Sequence, residues 1–186
     1  MKRIWFLAVF IFLAMAPWLA SGQGLLELDK GEISFVSDAP LELISASTTD
    51  FKMLVDTGAN EFAIRIPISG FTGFNSALQQ EHFYENYMET DKYTTASFTG
   101  KILSPLTYQP DTFAITVKGD LKIHGQTAMR VMEVNCLWAD REHLEIKSEF
   151  IVPLADHGIE IPRIVYQKIA EEISVRMSGT LTFRKD

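Results

Sequence analysis

Cysteine is almost absent from this chain of 186 residues, which contains only Cys136. A single cysteine cannot form an intramolecular disulfide, and its alternation with Met132 and Val134 favours a small apolar core residue. Basic clusters are also missing, since no Lys or Arg run is longer than Arg184-Lys185 and the net charge is −7. Because so acidic a chain repels phosphate backbones, we do not expect nucleic acid as a partner.

Motifs of the common enzyme classes are missing as well. The sequence has no Gly-x-Ser-x-Gly elbow, no phosphate-binding loop and no dinucleotide-binding fingerprint. The histidines are spread over the chain, with no two at metal-ligand spacing on one element: His82, His124, His143 and His157. We therefore expect no catalytic residues, no metal and no cofactor, and the sequence does not indicate an enzyme.

One long apolar run stands at the start of the chain. Lys2 and Arg3 precede apolar residues 4–16, and Ala20-Ser21-Gly22 follows as a small-x-small cleavage signal. The run is shorter than the ~20 residues that span a bilayer. We therefore expect residues 1–22 to be a signal peptide, residues 23–186 to form one secreted or periplasmic domain, and no integral membrane anchor to remain.

The stretch MLVDTGANEFAI around Asp56 resembles the active-site loop of an aspartic protease. That mechanism needs two carboxylates that share a proton, and the second candidate segment, at residues 155–158, has His157 in place of the hydroxyl residue. The alternative is a hairpin in which Asp56 ends one strand, Gly58 turns the chain with positive φ and Asn60 leads into the next. The sequence favours the hairpin and leaves a protease as a lesser alternative.

Apolar and polar residues alternate along most of the chain. In the clearest run, Phe62, Ile64 and Ile66 share one strand face, while Glu61 and Arg65 occupy the other. Similar runs predict about eight to ten strands. Turn motifs separate them at residues 57–60, 109–111, 118–120 and 124–125. Short connections imply antiparallel pairing, so the pattern predicts an all-β fold, either a closed barrel or a sandwich.

Two segments break the alternation and predict short helices. Residues 76–88 have apolar positions at helical spacing and Ser76 as a candidate N-cap. Residues 162–172 begin with Pro162, which suits a first helical turn. We expect this second helix to pack against or plug one end of the barrel.

Aromatic and long apolar side chains are concentrated near the first helix. They are Phe71, Phe74, Leu78, Phe83, Tyr84, Tyr87, Tyr93 and Phe98. A barrel of about eight strands either fills its interior with side chains or holds one small apolar ligand. The residues leave two hypotheses open: a structural or interaction module with a self-filled core, or a binding protein with an apolar tunnel partly covered by the helix.

Three segments, in this order, resemble the YceI-like proteins, particularly their small secreted bacterial branch. The first runs from FTGFN at residues 71–75 through LQQEHFYENYMETDKY to ASFTG at residues 96–100. The second is VKGDLKIHGQT at residues 117–127, and the third covers residues 148–162. The resemblance implies an extended antiparallel β-barrel, lipocalin-like, of about eight strands around a long apolar cavity. It also implies a polyisoprenoid or other long-chain lipid as the ligand.

This resemblance favours the tunnel hypothesis. The residues expected to bind the ligand are Phe62, Ile64, Ile66, Phe71, Phe74, Leu78, His82, Phe83, Asn86, Tyr87, Phe98, Phe113, Ile115, Leu121 and Phe150. Among them, His82, Asn86 and Tyr87 are the candidates for fixing a polar head group at the mouth. The sequence leaves the oligomeric state open, a homodimer included.

Overall fold

The computed structural model describes residues 24–184, most of which lie in antiparallel strands. The strands are β1 (Leu25–Ala39), β2 (Glu42–Thr48), β3 (Lys52–Asp56), β4 (Glu61–Pro67), β5 (Thr95–Ile102), β6 (Phe113–Ile123), β7 (Gln126–Trp138), β8 (His143–Pro153) and β9 (Glu172–Phe183). Their number agrees with the eight to ten predicted. The predicted signal peptide at residues 1–22 lies outside the described residues.

The sheet closes on itself through β1. Along one edge β1 pairs with β9, where Ile33 lies opposite Met177. Along the other edge it pairs with β2 and then β3, in one register, with Ile33 opposite Thr48 and Glu27 opposite Leu54. Strands β2 and β3 are therefore two halves of one interrupted strand. The fold is a closed eight-stranded antiparallel barrel, which confirms the predicted fold class, and closure pairs the edges that an open sheet would expose.

Strand β4 illustrates how the alternation builds the barrel wall. Phe62 and Ile64 are buried inside, whereas Glu61 and Arg65 are exposed outside. Ile64 lies opposite Phe98 on β5, and the rings of Phe62 and Phe98 are 4.8 Å apart. Because side chains alternate between the two faces, a slip of one residue would turn this apolar row to solvent.

The turn predicted at residues 118–120 is wrong, because β6 continues through it. Gly119 lies directly opposite Gly100 on β5. A side chain at either position would collide with a backbone carbonyl of the facing strand, of Lys118 or of Thr99. These glycines therefore allow a close approach of two strands.

The turns predicted at residues 57–60 and 124–125 are confirmed. The first joins β3 to β4, and the second joins β6 to β7. At the second turn His124 and Gly125 have φ angles of 50° and 75°, which a two-residue hairpin of type I′ requires. The motif at residues 109–111 falls within the longer connection 103–112.

The first predicted helix is confirmed. Helix α1 (Ala77–His82) begins at Ser76, whose hydroxyl accepts a 3.2 Å hydrogen bond from the Gln79 amide. It continues into a π-helical turn, Phe83–Tyr87. This helical segment crosses one end of the barrel between β4 and β5.

The second predicted helix, at residues 162–172, is wrong: the chain forms one 3₁₀ turn, Arg163–Val165, followed by further turns. Other parts of the barrel take the hydrogen bonds that an α-helix would need. The Gln167 carbonyl accepts from the Leu41 amide at 2.9 Å, and the Ala170 amide donates to the Ser37 hydroxyl at 2.9 Å. The prediction that this segment covers one barrel end holds in a non-helical form.

Candidate ligand-binding cavity

The barrel encloses an apolar cavity of about 450 Å³. The strands line it with Ile33, Met53, Val55, Phe62, Ile64, Phe98, Ile115, Val117, Leu121, Met132, Val134, Leu144, Ile146, Val152, Val175, Met177 and Leu181. This volume falls within the range of cavities that hold small ligands in proteins. The interior side chains therefore do not fill the barrel, which favours the tunnel hypothesis over a self-filled core.

The cavity opens where helix α1, the β1–β2 turn and residues 163–169 meet, and we call this opening the mouth. Leu78 and Lys168 line the cavity there while remaining exposed to solvent. The Gln79 amide group donates to the Glu42 carboxylate, which ties the helix to the β1–β2 turn. Because that turn is itself bonded to residue 167, these three segments form one continuous frame.

An aromatic cluster lies beneath the helix, just inside the mouth. The ring of Phe83 is centred 5.3 Å from Phe35 and 5.1 Å from Phe74, and the Phe35 ring is 5.4 Å from Phe71. All four side chains line the cavity. Tilted and offset rings at these distances attract each other, so the cluster forms an ordered apolar throat.

The opposite end of the barrel is closed. Leu106, from the connection between β5 and β6, packs against the core and lines the cavity floor. The Trp138 indole donates a 3.2 Å hydrogen bond to the Thr107 carbonyl, and its ring stacks on Phe183 at 6.1 Å. Within residues 24–184 the entrance for a ligand is therefore the mouth, and Leu106 closes the far end of the cavity.

The polar side chains of the cavity are concentrated at the mouth. Ser148 lies deeper, and its hydroxyl is already used in a 2.7 Å hydrogen bond to the Glu133 carbonyl. The polar residues lining the mouth are Ser37, Glu42, Ser76, Gln79, His82, Tyr87 and Lys168. This arrangement suits a molecule with one long apolar part and one polar end.

Tyr87 combines an apolar ring with a hydroxyl at this polar end. Partial burial raises the pKa of its phenol, and the negative charge of Glu42 raises that pKa further. The hydroxyl therefore stays protonated at neutral pH and can donate a hydrogen bond to a ligand.

Cys136 lies inside the cavity wall and is fully buried. Burial raises the pKa of its thiol to about 12, so the group remains neutral. It therefore contributes a small apolar surface to the cavity, as the alternating sequence pattern predicts.

The structure brings together all but two of the residues predicted to bind a ligand. Those that line the cavity are Phe62, Ile64, Ile66, Phe71, Phe74, Leu78, His82, Phe83, Tyr87, Phe98, Ile115, Leu121 and Phe150. Phe113 packs against the core without lining the cavity, and Asn86 is exposed on the helical segment outside it. The binding role of each residue remains a prediction.

Sequence reasoning missed two groups of lining residues. Phe35 and Met53 belong to strands in which apolar and polar residues alternate, so this alternation could have predicted that they face the cavity. Lys168 and Ile169 reach the mouth from an irregular segment. The helical spacing of residues 162–172 predicts that they cover a barrel end but not which of them line the cavity, because hydrogen bonds to β1 and the β1–β2 turn hold the segment in a non-helical form.

Asp56 stands in the β3–β4 hairpin, at the closed end of the barrel. Its carboxylate accepts hydrogen bonds from the amides of Gly58 and Ala59, at 2.9 and 2.8 Å. The hairpin interpretation therefore agrees with the structure, and the carboxylate closes its own turn. The positive φ falls on Asn60, at 55°, which corrects the expectation for Gly58, since an asparagine also tolerates this conformation.

A closed antiparallel barrel with one open mouth and an apolar interior defines the lipocalin-like class of folds. Within residues 24–184 no helix has the length and apolar character needed to cross a bilayer. The YceI-like domain model matches residues 27–181 of the sequence. The chain belongs to the YceI-like family.

Solved structures with the same fold are distant in sequence. A polyisoprenoid binding domain from Saccharophagus degradans, implicated in plant cell wall breakdown, superimposes with a TM-score of 0.74 at 14% identity, covering 86% of this chain and 98% of that chain. Burkholderia cenocepacia BcnA gives 0.67 at 13% identity, covering 81% and 95%. The Campylobacter jejuni YceI protein gives 0.59 at 13%, covering 75% and 84%. No curated protein matches the chain by sequence.

Proposed function

We propose that this chain is a secreted or periplasmic binding protein that holds a polyisoprenoid or another long lipid-like amphiphile in its barrel, and that it is not an enzyme. One observation carries the proposal: the cavity is apolar from its blind floor to its mouth, and its polar side chains gather at the mouth. A molecule with a long apolar chain and one polar end is complementary to both parts.

The apolar chain would supply most of the affinity. Each methylene transferred from water into an apolar interior contributes about 0.8 kcal/mol. No polar contact along the tunnel is needed for tight binding, and the hydroxyl proton of Ser148 is already donated to the Glu133 carbonyl.

The polar end of the ligand would lie among Glu42, Gln79, His82 and Tyr87. Gln79 and Glu42 are already hydrogen-bonded to each other, so they can orient a hydroxyl or amide group without moving. Tyr87 adds a neutral donor. Asn86 is exposed outside the cavity lining, so it does not belong to this group of head-group residues.

Family membership supports the ligand class, and the sequence supports the location. The Saccharophagus degradans domain with the same fold is a polyisoprenoid binding domain. The basic start, short apolar run and small-x-small site within residues 1–22 are typical of a secretory signal peptide. An extracytoplasmic carrier of an insoluble lipid is consistent with both observations.

Native mass spectrometry of the purified protein tests the proposal, followed by solvent extraction and mass analysis of whatever is released. We expect a long-chain lipid or isoprenoid that co-purifies reproducibly. A protein that is free of ligand, and that takes up neither isoprenoids nor fatty acids when they are offered, would contradict the proposal. The structural or interaction module would then be the better hypothesis, and a search for partners would follow.

A further inference from the structure

Strands β7 and β8 pair with each other over only part of their length. Their ladder joins residues 135–138 to residues 144–147. Both strands continue from there toward the mouth, where residues 126–134 of β7 remain paired with β6 and residues 148–153 of β8 remain paired with β9. Between these two stretches, all of whose residues the structure describes, the β7–β8 ladder has no pair. We call this unpaired part of the barrel wall the seam.

Side chains close the seam where the ladder does not. The Ser148 hydroxyl donates a 2.7 Å hydrogen bond to the Glu133 carbonyl at the point where the ladder stops. On the inner side Met132 and Phe150 line the cavity, and on the outer side Val131 is exposed. The cavity is therefore separated from solvent here by side chains that pack between two strands without a shared ladder.

A short turn fills the end of the seam nearest the mouth. The 3₁₀ turn Leu154–His157 follows β8 and packs against the start of β7. The Arg130 guanidinium on β7 lies 2.5 Å from a carboxylate oxygen of Asp156. Nδ1 of the buried His157 is 3.3 Å from the Gln126 carbonyl oxygen. We call this turn the wedge, because it holds the two strands apart and seals the gap between them.

The seam can separate more easily than the paired parts of the wall. Parting two paired strands breaks a row of backbone hydrogen bonds and leaves their groups without partners. Along the seam only side-chain contacts and those of the wedge must be broken. The ion pair of Arg130 with Asp156 is partly exposed, so water compensates for most of its attraction. Local opening of a protein follows stretches of this kind, in which few backbone hydrogen bonds hold the parts together.

The helical side of the mouth is held more firmly. The Asn75 side-chain amide donates to the Leu43 carbonyl at 2.8 Å, and the Tyr84 hydroxyl donates to the Phe71 carbonyl at 2.6 Å. These bonds fix the helical segment above the aromatic throat, whose rings are in contact with one another. A bulky apolar molecule needs a wider passage than this throat, and the seam is the side of the barrel that can provide it.

We propose that the seam is a lateral gate. The wedge moves off β7 and residues 126–134 part from residues 148–153, so that the mouth widens along the barrel wall while a ligand enters or leaves. The ladder between residues 135–138 and residues 144–147 stays intact and keeps the lower part of the barrel closed. The inference rests on the proposed function, because the gate serves the passage of a long apolar ligand. A branched isoprenoid chain depends on it most, since the width of the chain limits its passage through the throat.

Release of the rigid apolar dye Nile red tests the gate through the wedge. Protein stripped of lipid is loaded with the dye, and stopped-flow fluorescence follows its release into excess farnesol. Asp156→Asn removes the ion pair across the seam, whereas Glu149→Gln removes the matched ion pair with Arg176 across the fully paired β8 and β9. We expect Asp156→Asn to speed release about threefold and Glu149→Gln to keep the wild-type rate.

A covalent lock across the seam tests the gate more directly. A short bismaleimide joins Val131→Cys to Ile151→Cys, at exposed positions on the outer side of the seam. The control joins Lys118→Cys to Val131→Cys, because these residues lie opposite each other in the intact β6–β7 ladder. All of these proteins carry Cys136→Ala, so that only the introduced thiols react. We expect the seam lock to slow uptake and release of Nile red at least about tenfold at unchanged equilibrium affinity, and the control lock to change neither rate.

Hydrogen–deuterium exchange of the empty proteins scores the seam without any ligand. Peptides from residues 126–134 and 154–158 should exchange faster than peptides from residues 172–183, and the seam lock should slow them. Seam peptides as protected as those of β9, or dye rates that the seam lock changes no more than the control lock, would overturn the gate. Exchange that the seam lock slows, in a protein that binds neither Nile red nor farnesol, would support the parting of the strands and contradict the proposed function instead.

Discussion

Gly100 and Gly119 lie opposite each other on β5 and β6, and together they let the two strands approach more closely than side chains would permit. We expect Gly119→Val to lower the free energy of unfolding by about 1–3 kcal/mol, because its side chain would collide with the Thr99 carbonyl. Chemical denaturation measures this loss. The exposed neighbour Lys118 provides the control, since Lys118→Ala should change stability by no more than about 0.5 kcal/mol. Equal stabilities of the two variants would contradict the close approach.

The same pair illustrates what the sequence predicts and what it leaves out. Alternation correctly predicted the strand around Phe62 and Ile64, because a barrel wall has one apolar face and that period is local. The Lys118-Gly119-Asp120 stretch was mistaken for a turn because glycine serves both turns and close crossings. Only the presence of Gly100 opposite Gly119 distinguishes a close strand crossing from a turn. That pairing of β5 with β6 cannot be deduced from residues 118–120 alone.

The candidate site also contains parts that the sequence predicts and parts that it does not. Most predicted lining residues are on regular strands or the helix, where alternation along the strand or helical spacing determines which way the side chains face. Residues 162–172 have a helical pattern, but bonds from Leu41 and to Ser37 hold them in another shape. Tertiary contacts therefore determine the geometry of the mouth. The sequence predicts that residues 162–172 cover this end of the barrel, but not the conformation in which they do so.

His157 is buried at the mouth end of the barrel. We expect this residue to destabilise the folded protein at mildly acidic pH. Burial lowers the pKa of its imidazole, and the positive charge of Arg130 acts in the same direction, although hydrogen bonding to Gln126 and the charge of Asp156 oppose it. Its Nε2 has no hydrogen-bond partner among the described residues. The unfolded chain therefore binds this proton more readily, and the free energy of unfolding should decrease as pH falls below 6.5.

Urea denaturation across a pH series measures this effect. His157→Gln should have a flatter pH dependence between neutral and mildly acidic pH than the wild type. The exposed His82 is the matched control, and His82→Gln should keep the wild-type slope. A wild-type slope that persists in His157→Gln would mean that other groups cause the acid sensitivity.

Tyr87 should affect the stability of the protein at alkaline pH. Because the pKa of its phenol is raised in the folded state, its contribution to stability is complete below pH 10 and is lost as pH rises through the folded pKa. Tyr87→Phe removes this alkaline loss and also removes one donor at the mouth. We expect its affinity for a long-chain alcohol to fall by about 1 kcal/mol, with no change for a hydrocarbon of equal length. Titration with the two ligands provides the test, and an equal loss for both would contradict a head-group role.

Substitution of Phe83 tests whether the aromatic cluster is a ligand-binding throat or part of a structural core. The side chain is half-buried in the aromatic cluster, so Phe83→Ala should weaken retention of a long-chain ligand at least about tenfold with a modest loss of stability. Phe51 is buried in the core without lining the cavity, so Phe51→Ala should cost about 3–5 kcal/mol of stability. Thermal unfolding and native mass spectrometry of both variants measure the two effects. Plain destabilisation by Phe83→Ala, with ligand retention unchanged, would favour the structural module.

A blind floor should make the barrel selective for chain length. Val117 faces the cavity and lies opposite Ile102, near the closed end, so Val117→Phe would fill its lower part. Ligands long enough to reach that depth should lose about 0.8 kcal/mol for every methylene excluded, whereas shorter ligands should bind as before. Val131, exposed on the outer wall, provides the same substitution without access to the cavity. Competition among saturated alcohols of increasing length measures the preference: we expect the longest to be disfavoured by Val117→Phe and the order to be unchanged by Val131→Phe. If Val117→Phe left the affinities for all lengths unchanged, the ligand would not extend to the floor, and binding would be confined to the throat beneath the helix.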